Sequence, residues 1–64
     1  MNAGPKIRDA ILVQRMKEWR MRARCPLLAK GYPASKCRKN YLYLVRTHET
    51  LAKTHGLRES DVYL

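Results

Sequence analysis

The chain has 64 residues and a formal net charge of +9, from 14 Lys and Arg against 5 Asp and Glu. That length allows one small domain, and a hydrophobic fraction of 45% is too high for a disordered basic tail. No apolar run suits a transmembrane helix, and Arg8 and Asp9 interrupt the block that a secretory signal needs, so a cytoplasmic protein is expected.

Residues 1–5 read as a short lead-in arm, with Pro5 suited to a helix N-terminus. From about residue 6 to residue 24 there is no Gly or Pro, and strong helix formers dominate. Leu12, Met16, Trp19 and Ala23 recur at 4-3-4 spacing on one helical face. Ile7, Ala10, Ile11 and Met21 lie on another, which points to two packing surfaces, one within the chain and one toward a partner. The segment is basic and amphipathic, as a mitochondrial presequence is, but Asp9 and Glu18 count against that reading.

Cys25-Pro26 ends the first helix, because proline disfavours helical geometry in the residue before it. Gly31 and Pro33 keep residues 25–34 a loop, and Ser35 is the expected N-cap of a second helix over about 35–55. In that helix Cys37, Tyr41, Leu44, His48, Leu51 and His55 form a 4-3-4-3-4 seam, widened by Val45 and Ala52. Gly56 is placed to stop the helix at its C′ position, leaving residues 56–64 as a tail or a partial third helix. The fold class is therefore all-α, an antiparallel helical hairpin forming one domain over residues 1–64. A lone hairpin buries little surface, so a homodimer with a four-helix core is expected.

The charge is unevenly placed. From Trp19 to His48 the chain has no acidic residue but carries Arg20, Arg22, Arg24, Lys30, Lys36, Arg38, Lys39 and Arg46. Such a surface repels itself unless an acidic partner neutralises it, and phosphate backbone does so with release of counterions. Lys39, Arg46 and Lys53 recur every seven residues opposite the seam, with Tyr43 and Thr50 beside them to stack or to hydrogen-bond phosphate. Arg15 and Arg22 form a second spaced pair, with Arg20 and Arg24 on the other flank. The expected nucleic-acid contacts are Arg15, Arg20, Arg22, Arg24, Arg38, Lys39, Tyr43, Arg46 and Lys53. A solvated face that only keeps the protein soluble is the alternative, though such faces ordinarily mix both signs.

Residues 48–62 resemble the helix-turn-helix pattern of small bacterial and phage regulators. Leu51 and Ala52 match the packed end of its first helix, Gly56 the turn, Leu57 the residue after it, and Val62 a buried position of the recognition helix. That resemblance implies that Arg58, Glu59, Ser60 and Asp61 begin a DNA-reading helix, although His55 replaces an apolar residue of the pattern. Trp19-Arg20-Met21-Arg22-Ala23 and Arg38-Lys39-Asn40-Tyr41-Leu42 are similar to stretches of the PerC/ANR group of short enterobacterial and phage regulators. What this implies is gene regulation, through DNA or through another regulator.

Cys25, Cys37, His48 and His55 do not have zinc-site spacing, and Cys37 and His48 lie about 16 Å apart along one helix, so no metal or other cofactor is expected. The cysteines bracket the loop and could pair under oxidation, with spare thiols as the plainer reading. His48 and His55 in an apolar seam would make it pH-sensitive unless each is hydrogen-bonded. No nucleophile–base–orienter set is visible, and catalysis is not expected. The sequence thus points to a small nucleic-acid-binding regulator. The alternative is an inhibitor or adaptor docking onto an acidic host protein, with Ile7, Ala10, Ile11 and Met21 as anchors.

Overall fold

A computed structural model describes residues 3–63, and among these every regular element is helical. Three α-helices, α1 (Ala3–Arg24), α2 (Ala34–Thr47) and α3 (Glu49–Thr54), are joined by irregular chain that includes single 3-10 turns at Pro26–Leu28 and Glu59–Val62. The hairpin is antiparallel. Trp19 meets Tyr32 at the loop end, Leu12 and Leu44 line one groove midway, and Ala10 and Leu51 line another at the far end.

α1 begins at Ala3, not near residue 6, so part of the expected lead-in arm is helical; Met1 and Asn2 lie outside the described residues. Pro5 is tolerated there because the first four N–H groups of a helix have no intrahelical acceptor. The helix ends where expected, with the Cys25 N–H donating to the Met21 carbonyl at 2.8 Å just before Pro26. Arg22 and Arg24 in the last turn favour the negative end of its dipole.

Ser35 is not the N-cap of α2. Pro33 takes that place with an extended backbone (φ −62°, ψ 146°), and its carbonyl accepts from the Lys36 and Cys37 N–H groups at 3.0 and 3.1 Å. Nor is the second helix continuous. His48 departs from helical geometry (φ −118°, ψ 53°), which separates α2 from α3 in a stretch where Thr47, His48 and Thr50 favour helix weakly.

The expected seam is fully buried at Cys37 and Tyr41, and the core then continues through Leu42, Val45 and Ala52. Leu44, His48 and Leu51 are half-buried at its rim, and His55 is exposed, so its protonation charges no apolar seam. On α1 the deepest residues are Met16 and Val13, while Leu12, Trp19 and Ala23 pack around them half-buried.

Residues beyond α3 complete the core instead of trailing from it. Gly56, with φ +68°, closes the helix in a Schellman turn: its N–H donates to Lys53 O at 3.1 Å and the Leu57 N–H to Ala52 O at 2.8 Å. The reversal drives Leu57 beside Ala52, both about 1% exposed, and Val62 joins the same cluster from the final 3-10 turn. Arg58 to Asp61 therefore do not begin an α-helix; Glu59–Val62 make a single turn packed on α1 and α2.

Leu57→Ala should destabilise the chain by about 2–5 kcal/mol, the usual effect of emptying a buried leucine site. Gly56→Ala, whose added methyl meets no atom within 4 Å, should lose only the left-handed backbone preference, about 1–2 kcal/mol. Urea denaturation checks both. Equal losses, or a Leu57→Ala loss below about 0.5 kcal/mol, would mean that this segment is not part of the core.

Candidate polyanion-binding end of the hairpin

Antiparallel packing sorts the charge by position. Residues 17–39, which make the end of α1, the loop and the start of α2, carry eight cations and one carboxylate, Glu18. Residues 7–15 and 40–63 carry five cations and four carboxylates. One end is thus strongly positive while the rest is nearly balanced.

Glu49, Glu59 and Asp61 in the balanced part lie against cations. Arg46 Nε and Nη2 reach Glu59 Oε1 at 3.0 and 2.8 Å, and Lys53 Nζ lies 3.8 Å from Glu49. Asp61 forms the most enclosed of these contacts. Its Oδ2 accepts from Arg20 Nη1 at 3.2 Å and from the Arg58 backbone N–H at 3.1 Å. The Tyr41 hydroxyl, held in the core, lies 2.8 Å from Arg58 O and 3.3 Å from the same Oδ2; its single proton favours the shorter contact. Burial pushes the Asp61 carboxyl upward, but the Arg58 N–H, the Arg20 hydrogen bond and the two guanidinium charges outweigh it and hold it below its ordinary value. Tyr41 is pushed up to about 12 by burial and by the Asp61 charge, against the pull of Arg20.

Of the sequence-derived contact residues, Arg20, Arg46 and Lys53 therefore have internal partners. The stripe of Lys39, Arg46 and Lys53 is not uniform: only Lys39 lacks a carboxylate within 4.0 Å. Among the described residues Arg15, Arg22, Arg24 and Arg38 also lack one, and Tyr43 is well exposed beside Lys39. Arg15 lies midway along α1 near Leu44, away from the positive end, whereas Arg22, Arg24, Arg38 and Lys39 belong to it.

Sequence reasoning did not anticipate how the aromatics join this end. Trp19 and Tyr32 meet edge to face, 5.4 Å between centroids and 81° between planes. Arg22 lies over Trp19 at 4.9 Å, and Lys36 over Tyr32 at 5.7 Å. The result is a row, Arg22–Trp19–Tyr32–Lys36, crossing from α1 through the loop to α2. A turn with Lys30 (φ +52°) and Gly31 (φ +90°) both left-handed makes it possible, since it folds Tyr32 back so that its N–H reaches Ala29 O at 3.1 Å. Gly31 takes this conformation freely, but Lys30 does so at a penalty of about 1–2 kcal/mol. The only sequence signal was Gly31, which marks a turn without giving its hand. Exposed cation–π contacts contribute about 0.5–1 kcal/mol each, weak enough for phosphate or a base to replace them.

No cluster of three or more metal-ligating side chains occurs among the described residues, and both cysteines are free, Cys37 buried and Cys25 half-buried. No protein family, curated protein or solved structure matches the chain.

The Asp61 cluster sets the pH limits of the fold. Asp61 has a lower value folded than unfolded, so its stabilisation is complete above about pH 4 and is lost as pH falls through the folded value. Tyr41 is raised from 10.0 to about 12, so stability should fall between those values as the unfolded phenol ionises first. Asp61→Asn should flatten the acid limb of stability against pH, and Tyr41→Phe the alkaline limb. Unchanged limbs in guanidinium melts would show that other groups set them.

Proposed function

We propose that the protein is a small nucleic-acid-binding regulator of bacterial or phage type, and that the positive hairpin end holds the phosphate backbone. The observation that carries this reading is the division of charge: of the eight cations at the end that also presents Tyr32 and the Trp19 edge, only Arg20 has a carboxylate within 4.0 Å among the described residues. Charge used only for solubility would be interspersed with carboxylates over the whole surface. Here the carboxylates neutralise the far part and leave this end free to exchange counterions for protein–phosphate contacts. Arg22, Arg24, Lys30, Lys36, Arg38 and Lys39 are the principal contacts in this reading. Tyr32 and Tyr43 offer stacking faces to unpaired bases. Resemblance to PerC/ANR-like regulators supports the regulatory role; residues 58–61 form no recognition helix, so this reading assigns recognition to the hairpin end. Binding without catalysis is the mode of action, and no cofactor enters it.

Anisotropy of labelled duplex DNA, single-stranded DNA and RNA across a salt series tests the proposal. Affinity should fall steeply with salt, and neutralising Lys36, Arg38 and Lys39 together as Gln should flatten the slope by about 0.9 for each duplex phosphate contact removed. Lys53→Gln, which removes a cation that already has a carboxylate neighbour, should change it much less. Tyr32→Ala should weaken single strands by about 1–3 kcal/mol if a base stacks there. No binding of any of the three at ~50 mM salt rejects the reading.

A further inference from the structure

Opposite its buried residues, α1 carries a second ordered row. Ile7, Ile11, Gln14, Glu18 and Met21 follow one another at 4-3-4-3 spacing, and all five are exposed. Ile7, Ile11 and Met21 leave 57%, 48% and 54% of their surface uncovered. At about 100° per residue the row lies roughly half a turn from Met16, so nothing in the chain's own core can cover it. Two flanks border it, each at seven-residue spacing: Arg8, Arg15 and Arg22 on one side, Ala10, Lys17 and Arg24 on the other. Half-buried Leu12 and Leu44 extend the apolar surface beside Ile7 and Ile11 into the groove between α1 and α2.

We infer that this face of α1 receives an amphipathic helix of another protein, apolar along its own seam and acidic at the positions flanking it. The 4-3 spacing is that of a helix–helix seam, and the row spans about 21 Å, enough for two heptads of a partner. Charge decides which helix. The flanks hold five cations and no carboxylate, so acidic flanking residues on the partner are complemented along the whole length. A second copy fits badly. In either orientation cationic flanks oppose cationic flanks, and an antiparallel copy centred on Gln14 sets Glu18 against Ile11. Phosphate backbone is a poor occupant too, because the middle of the row offers it an isoleucine and a glutamate. Gln14 and Glu18 fix register by requiring a polar or basic residue opposite them, at some loss of affinity. This surface shares Arg22 and Arg24 with the hairpin end, but Ile7, Arg8, Ile11 and Arg15 lie outside that end, so substitutions there test this face alone.

The test is calorimetric titration of the full chain with synthetic three-heptad peptides bearing leucine in the seam, except for Asn and Lys at the positions that come opposite Gln14 and Glu18. One peptide carries Glu at the flanking positions, a second carries Lys, and a third keeps Glu but has Ser in the seam. The first should bind one to one and the other two should not. Ile7→Ser with Ile11→Ser should weaken it more than about tenfold while leaving helicity and nucleic-acid affinity unchanged, since both side chains are exposed. Arg8→Glu with Arg15→Glu, which leaves the flanks nearly neutral, should remove most of the preference for the Glu peptide over the Lys peptide. Failure of the first peptide to bind at ~100 mM salt overturns the inference. So does equal binding of the Ser-seam peptide, which would reduce the face to a generic polyanion surface. A dimer in sedimentation equilibrium that Ile7→Ser and Ile11→Ser dissociate would give the face to a second copy and overturn it as well.

Discussion

Closure of the core by residues 57–62 is the constraint on which the rest of the chain depends. Two helices alone would leave the groove between them open along one side. The Schellman turn at Gly56 supplies Leu57, and the following 3-10 turn supplies Val62. The segment is then tied to both long helices, by Asp61 to Arg20 on α1 and by the Arg58 carbonyl to Tyr41 on α2. The arrangement gives the buried tyrosine hydroxyl a carbonyl partner, and among the described residues no buried side-chain nitrogen or oxygen lacks one. Satisfying such groups matters more here than each bond's small net contribution, because an orphaned one is expensive in a small core.

The same tie organises the surface. By drawing Glu59 and Asp61 onto Arg46 and Arg20, it neutralises the cations beside the closing segment. The unneutralised excess is left at the loop end, where the dipoles of α1 and α2 meet. Arg22 and Arg24 suit the C-terminus of α1, whereas Lys36 and Lys39 sit near the positive end of α2 and are tolerated there only as solvated or ligand-bound groups. Fold stability and a free anion site thus place opposite demands on the same short segment of helix.

Much of the fold was legible in the sequence. The stop at Cys25-Pro26, the Gly56 cap and the apolar rows of both helices follow from local chemistry that tertiary contacts did not override. Val62 was marked for burial by its match to a helix-turn-helix pattern, and it is buried, but in a 3-10 turn. What could not be read was long-range. The break at His48 is a single backbone excursion with no Pro or Gly to announce it, and which flank of the seam is buried, Val45 and Ala52 or Leu44 and Leu51, is set by what packs against it. Asp61 and Arg20 are 41 residues apart, and no periodicity links them. The positive window was visible as composition; that Arg20 and Arg46 within it, and Lys53 beyond it, would be held by the chain's own carboxylates was not. The aromatic row was hidden for a similar reason, since the left-handed geometry at Lys30 decides where Tyr32 goes.

The separation between Arg20 and Asp61 also bears on how the chain acquires its structure in time. Helical turns and the 19–32 contact are local and form on the microsecond scale, whereas joining residues 41 positions apart carries the larger loop-closure penalty. Before that closure forms, the hairpin leaves Met16 and Tyr41 facing an open groove. Native order is reached only when the closing segment packs. Any interval between those events exposes an apolar cleft in a highly basic chain, open for that time to the wrong neighbour.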